Sequence, residues 1–262
     1  MRVSRPVELT PDVLATLAPP EPEHDATKHD RGTVVVVGGS LETPGAILLA
    51  GIAALRAGAG RLRLVTDPSC TAALAIAVPE ARVTTFEQDL DGDAVLVGPG
   101  MPDDDEIVDR ATSGGVPVVL DAGALAVAAR HPGWIRRLGG RALLIPNPSE
   151  LELLGAKDAP SAAKKFGATV AVRGAETWIA TSDGDVYVDR RGTPGLATSG
   201  SGDVAAGLAA GFLTRGATPA GAAAWMAAAH GRAGERLGGS GFLARELLDE
   251  LRAAIADLTS GA

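Results

Sequence analysis

Five consecutive residues, Thr33-Val34-Val35-Val36-Val37, are all β-branched and leave this chain few choices of fold. An apolar run without polar alternation is a strand covered on both faces, and such strands belong to parallel sheets flanked by helices on either side. Gly38-Gly39-Ser40 ends the run, and Thr43-Pro44-Gly45-Ala46 opens a helix that the apolar spacing carries to residue 57. Strand, glycine turn and helix form the unit that binds ligands at the carboxyl ends of doubly wound sheets.

The alternation persists along the chain. Strands are predicted at Arg61–Thr66, 93–97, 116–121 and 142–146, and helices at 69–78, 104–112 and 124–129. Gly98-Pro99-Gly100, Asp121 and Pro146 close three of these strands, so small and polar residues gather at one edge of a parallel sheet. That edge is the expected active site. A helix follows from Asn147-Pro148-Ser149-Glu150, then a helix at 161–166 and three short strands at 169–172, 177–180 and 186–188, with Asp183-Gly184 as a hairpin turn. Alanine-rich helices at 204–214, 219–237 and 243–257 complete the chain. Gly58-Ala59-Gly60 precedes a strand instead of following one, which makes it a helix stop and not a dinucleotide fingerprint.

Residues 1–26 are rich in proline and charge and read as an N-terminal arm, with one short helix at 10–17 that Thr10 caps and Pro11 begins. Residues 27–262 read as a single α/β domain, since no repeat or linker divides them. The composition, 46% hydrophobic but only 3% aromatic, suits helices packed closely on a sheet. A net charge of −8 disfavours nucleic acid and anionic membranes as partners. The lone Cys70 excludes an intrachain disulfide and a cysteine metal cluster. Met1-Arg2-Val3-Ser4-Arg5-Pro6 leads into no apolar segment, and no apolar run approaches the roughly 20 residues of a membrane span, so a soluble cytoplasmic protein is expected. The P-loop, G-x-S-x-G and H-E-x-x-H patterns are all absent.

The richest chemistry lies between Gly192 and Asp203, where Thr198-Ser199-Gly200-Ser201-Gly202-Asp203 runs straight into an apolar helix. A helix start offers unpaired N–H groups and the positive end of a dipole, and glycines let the backbone wrap an anion, most often a phosphate. Asp203 then stands beside that anion, placed to take a proton or bind a hydroxyl; the plainer alternative is a helix cap. Glu150 has two readings as well, a capping residue in a first helical turn or a water-mediated ligand of magnesium. Arg173-Gly174-Ala175-Glu176-Thr177, between two short strands, is a candidate loop for gripping a nucleotide. His230 and Trp225 read as packing residues, and His24, His29, Lys164 and Lys165 as solvated ones.

Taken together, these residues resemble the ribokinase-like superfamily and, within it, the ADP- or ATP-dependent NAD(P)H-hydrate dehydratases. The likeness spans about residues 27–258 and rests on motifs in order: Val37-Gly38-Gly39-Ser40 with Pro44-Gly45-Ala46, Leu55-Arg56-Ala57-Gly58-Ala59-Gly60, Gly98-Pro99-Gly100, Leu120-Asp121-Ala122-Gly123-Ala124-Leu125, Pro146-Asn147-Pro148-Ser149-Glu150, and the stretch ending at Asp203. The resemblance implies an α/β ribokinase-like fold, a mostly parallel central sheet with helices on both faces. It implies a lyase that repairs hydrated NADH and NADPH (NADHX and NADPHX), consuming ADP, or ATP, with magnesium. It further implies a homotetramer and functional pairing with an NAD(P)H-hydrate epimerase. Asp203 is the expected catalytic residue. Ala46, Gly100, Asn147 and Asp203 would bind the hydrate, and Arg173, Gly174, Ala175, Glu176, Thr177, Gly200, Ser201 and Gly202 the nucleotide. Two segments depart from the family pattern. Asn147 and Ser149 replace a histidine and a glycine, giving the N-x-x-E that sugar and vitamin kinases of the superfamily use near magnesium, and Arg173 replaces a lysine. A small-molecule kinase is therefore the rival reading, and a non-catalytic nucleotide-binding protein a third.

Overall fold

The computed structural model describes residues 5–260; residues 1–4, which entered the reading of the N-terminus, and residues 261–262 lie outside it. A ten-stranded sheet forms the middle layer. Its strands are β1 (Val7–Glu8), β2 (Thr33–Val37), β3 (Arg61–Thr66), β4 (Ala81–Thr85), β5 (Ala94–Val97), β6 (Val118–Leu120), β7 (Ala142–Leu144), β8 (Thr169–Arg173), β9 (Thr177–Ala180) and β10 (Val186–Asp189). They lie in the order β1-β10-β9-β8-β7-β6-β5-β2-β3-β4, and β9 alone runs antiparallel to its neighbours.

The five-residue run that constrained the fold is β2, and all its residues are buried. Val34 and Val36 face one core, and Val35 and Val37 the other. The first face is covered by α2 (Pro44–Arg56), α9 (Ser201–Thr214), α10 (Pro219–Leu237) and α11 (Ala244–Ser260). Helices α4 (Asp105–Ser113), α5 (Gly123–Arg130), α6 (Pro132–Arg136), α7 (Pro148–Leu153) and α8 (Ala159–Phe166) cover the second. Two short helices, α1 (Pro11–Thr16) and α3 (Thr71–Ala77), complete the set. No helix among the described residues is long and apolar enough to cross a membrane.

Strand β2 pairs with β3 on one side and β5 on the other, so the strand order reverses between β2 and β5. Such reversals open a crevice beyond the carboxyl ends of the strands. Here glycines make the crevice narrow. Gly39 N–H donates to the Pro99 carbonyl at 2.8 Å, and a Cβ on Gly38 would overlap that same carbonyl. Gly98, at φ +125°, lies so close to the Asp121 carbonyl that no side chain fits.

Helix α9 is locked against α2 by the same device. A Cβ on Gly207 would overlap the Ala50 carbonyl, and one on Gly211 the Ala54 carbonyl. Four residues apart, the two glycines share one face and let the helices touch backbone to backbone. The N-terminus of α9 is therefore held rigidly at the strand ends.

The segment read as an arm is part of the body over residues 7–17. β1 extends the sheet beside β10, and Leu9 and Leu14 are buried. Trp225 on α10 donates from Nε1 to the Leu14 carbonyl at 3.0 Å. Three elements escaped the sequence reading. β1 has only two residues, β4 is an edge strand of mixed exposure, and α6 holds a single turn.

Candidate active site

The first turn of α9 stands at the carboxyl edge of the sheet with no side chain capping it. Gly200, at φ +88°, turns the chain into the helix in the left-handed conformation that glycine tolerates. An uncapped start of a 14-residue helix leaves N–H groups and the dipole's positive end available to an anion. Arg173, the last residue of β8, lies over this turn, and a Cβ on Gly202 would fall 2.8 Å from its guanidinium. Glycine at 202 is what lets the cation approach the helix end.

A cleft of about 580 Å³ opens beside the turn. Arg173, Gly174, Ala175, Thr177 and Ser201, five of the eight residues expected to bind a nucleotide, line it, while Glu176, Gly200 and Gly202 do not. Asn147, assigned to the hydrate, also reaches this wall. The opposite wall is apolar, formed by Leu196 with Met226 and Ala227 of α10. Glu176 is turned to other partners: its carboxylate accepts from Trp178 Nε1 at 3.1 Å and Arg190 Nε at 2.8 Å. Gly200 and Gly202 serve as backbone, one shaping the turn and the other making room for Arg173.

Ser201 and Asp203 are two residues apart, roughly 200° around the helix, so they face opposite flanks. Ser201 meets α10, where His230 Nε2 lies 2.9 Å from its hydroxyl. Asp203 turns toward α2. A Cβ on Gly200 would touch Leu49 of α2 at 2.6 Å and reach the Asp203 carboxylate at 4.0 Å. Ala46 stands three residues before Leu49, on the same face of α2, and a Cβ on Gly100 would lie 2.7 Å from Ala46 Cβ. Thr43 ties the pair together by donating from Oγ1 to the Gly100 carbonyl at 2.8 Å. Ala46 and Gly100 thus pack against each other one helical turn from Leu49, the residue of α2 nearest the start of α9.

Electrostatics single out two carboxylates around Arg173. Burial pushes Asp203 up to about 6 against the pull of Arg173, with Glu150 adding to the rise. Asp121, more deeply buried, is raised to about 7 by burial, again opposed by Arg173. Asp121 Oδ1 lies 3.9 Å from the Arg173 guanidinium and has no hydrogen-bond partner. The next residue, Ala122, is the one non-glycine among the described residues with positive φ, at +46° and ψ −120°. Strain of that kind persists where surrounding structure enforces it, and it concentrates at functional sites.

Asn147 and Glu150 close a capping box on α7. Asn147 Oδ1 accepts from Glu150 N–H at 3.0 Å, and Glu150 Oε2 accepts from Asn147 N–H at 2.8 Å. Among the described residues no group of three His, Cys, Asp or Glu side chains converges as a metal site.

The sequence reading gave Asp121 no role, although a carboxylate ending a buried apolar strand is a usable signal. It also passed over the apolar cleft wall, because Met226 and Ala227 lie in an alanine-rich helix whose pattern says only that it is buried.

A family model described as NAD(P)H-hydrate dehydratase matches residues 34–253. An ADP-dependent (S)-NAD(P)H-hydrate dehydratase of Xanthomonas campestris is 39% identical over 96% of this chain and 98% of its own. Among solved structures, the ADP/ATP-dependent NAD(P)H-hydrate dehydratase of Bacillus subtilis, co-crystallised with ATP and magnesium, superimposes with a TM-score of 0.83. It is 27% identical, and the match covers 98% of this chain and all of that one. A ribokinase-like superfamily protein of Enterococcus faecalis matches with a TM-score of 0.82 at 23% identity, covering 96% of each chain, which supports the fold.

Proposed function

The chain belongs to the NAD(P)H-hydrate dehydratase family, and from that premise we propose that it is an ADP-dependent (S)-NAD(P)H-hydrate dehydratase, a hydro-lyase that returns hydrated NADH and NADPH to their working forms. One observation carries the assignment of the site. A single helical turn places Ser201 on a cleft of about 580 Å³ and carries Asp203 near Leu49 of α2, one turn along that helix from Ala46.

In this reading the adenosine moiety of ADP occupies the cleft against Leu196, Met226 and Ala227, and its phosphates rest on the first turn of α9 beside Arg173. The hydrated nicotinamide ring lies against Ala46 and Gly100, with Asn147 at the boundary between the two ligands. Asp203 takes the proton from the ring hydroxyl as that oxygen attacks the terminal phosphorus of ADP, and the bond from that phosphorus to AMP breaks. Helix N–H groups and Arg173 stabilise the charge that develops on the transferring group. The ring nitrogen then expels phosphate from the adjacent carbon, and loss of a proton from the neighbouring carbon restores the double bond. ADP and hydrate become AMP, phosphate and NADH or NADPH.

Magnesium fits this site as an ion carried on the nucleotide phosphates, where it would neutralise their charge. With no three protein ligands converging, Glu150 Oε1 would hold it through water while Oε2 stays in the capping box. The same capping box explains the Asn147-Pro148-Ser149-Glu150 sequence that favours a kinase, without recourse to phosphoryl transfer onto a sugar or vitamin. Selectivity for the S form, as in the name of the Xanthomonas relative, leaves the R form to an epimerase, and pairing with such an enzyme and assembly as a homotetramer belong to the same proposal.

Purified protein supplied with ADP, magnesium and hydrated NADH is expected to restore the near-ultraviolet absorbance of NADH, releasing AMP and phosphate in equal amounts. No recovery with ADP or ATP, combined with ATP-dependent phosphorylation of a sugar or vitamin, would overturn the assignment in favour of a kinase.

A further inference from the structure

His230 has no part in the reaction above, yet its ring is 9% exposed on the wall of the nucleotide cleft, against the first turn of α9. Its Nε2 lies 3.0 Å from the Ser201 carbonyl oxygen and 2.9 Å from the Ser201 hydroxyl. A carbonyl oxygen only accepts, so Nε2 at that distance carries the proton. An Nε2–H shared between these two oxygens makes the hydroxyl an acceptor toward the ring. The hydroxyl's own hydrogen is then left for another acceptor. Ser201 lines the cleft at an uncapped helix start, beside Arg173, where an anion is the favoured neighbour.

We infer that His230 is a positioning residue that fixes the Ser201 hydroxyl as a hydrogen-bond donor to a nucleotide phosphate. Burial and the nearby Arg173 hold the imidazole down to about 4, so it is neutral near pH 7 and the tautomer is unchanged there. A charged ring would have donors on both nitrogens and would sit against the Arg173 cation. The inference rests on the assignment of ADP to this cleft. It adds what that assignment lacks, a reason for a buried histidine on an otherwise apolar helix face.

Titration calorimetry with ADP and with adenosine tests it on five proteins: wild type, Ser201→Ala, His230→Met, His230→Gln and the Ser201→Ala/His230→Met double variant. A hydrogen bond to a charged phosphate is worth about 10- to 100-fold in Kd. Ser201→Ala and His230→Met are each expected to weaken ADP by that factor and to leave adenosine within about twofold. His230→Gln, which places an amide N–H where Nε2 stood, is expected to bind ADP nearly as the wild type does. The double variant is expected to bind no more weakly than either single one, since both remove the same bond. Equal losses for ADP and adenosine, or losses that add in the double variant, would overturn the inference while leaving the nucleotide site intact. Wild-type protein that binds no ADP would overturn the nucleotide assignment itself and this inference with it. Nitrogen-15 NMR of wild-type His230 gives a readout free of variants: a protonated Nε2 is expected, and a neutral ring protonated at Nδ1 contradicts the inference.

Discussion

Asp203 is raised because burial outweighs the attraction of Arg173, yet at about 6 it is still mostly ionised at neutral pH. A carboxylate that accepts a proton must be charged, so turnover is expected to fall as pH drops through about 6 and to level off above it. Replacing Asp203 with Asn removes the proposed base and keeps its shape. Proton transfer by a placed side chain contributes roughly 10²- to 10⁴-fold, and kcat is expected to drop within that range. ADP affinity should hold, because the helix start and Arg173 remain. A pH–rate profile and a calorimetric Kd separate the two effects. Ala122 makes a second point at this scale. Its φ of +46° is a glycine conformation, so Ala122→Gly is expected to raise stability by about 1 kcal/mol, read from urea unfolding. A loss of stability would mean that the alanine methyl packs better than its backbone strain costs.

At the scale of elements, helix α9 depends on how it is held as well as on its first turn. Gly207 and Gly211 bring it into backbone contact with α2, the helix that carries Ala46 against Gly100. Gly207→Ala forces a methyl into the Ala50 carbonyl. The expected cost is about 3 kcal/mol, at the upper end for overpacking because the obstacle is backbone, and thermal unfolding reads it directly. Unchanged melting would show that the helices separate freely. What was legible in the sequence follows the same logic. The strands from β2 to β8, β4 apart, announced themselves because their buried positions are apolar, in unbroken runs or, in β3, alternating with Arg61 and Arg63, and the glycine turns followed because close strand ends admit no Cβ. β4 was hidden by its edge position, where Arg82, Thr84 and Thr85 need no apolar pattern. Of the site, the Gly200–Asp203 turn and the Arg173 loop were readable as motifs. The Asp121–Arg173 and His230–Ser201 contacts were not, because they join residues 52 and 29 positions apart that only the tertiary fold brings together. Glu176 shows the converse, a residue in the expected loop whose side chain pairs with Trp178 and Arg190.

For the whole molecule, the N-terminal segment reaches the side of the fold that holds the cleft. β1 adds the outermost strand, Leu14 packs beneath α10, and Arg191 on the cleft wall donates to the Leu9 carbonyl while pairing with Asp189. Leu14→Ala is expected to cost roughly 2–5 kcal/mol, as for other fully buried leucines, and to loosen the wall that carries Trp225. A drop in melting temperature together with a shift in Trp225 fluorescence checks this; an unchanged melt would return residues 7–17 to the status of a detached arm.

In the proposed site a nucleotide phosphate on α9 would face the hydroxyl of a hydrated nicotinamide beside Asp203. Hydrate prepared in oxygen-18 water carries the label in that hydroxyl. If the hydroxyl is phosphorylated before it leaves, its oxygen departs with phosphorus. The account predicts one labelled oxygen in each phosphate released from ADP by the wild-type protein. Unlabelled phosphate, with the label recovered in water, would contradict it.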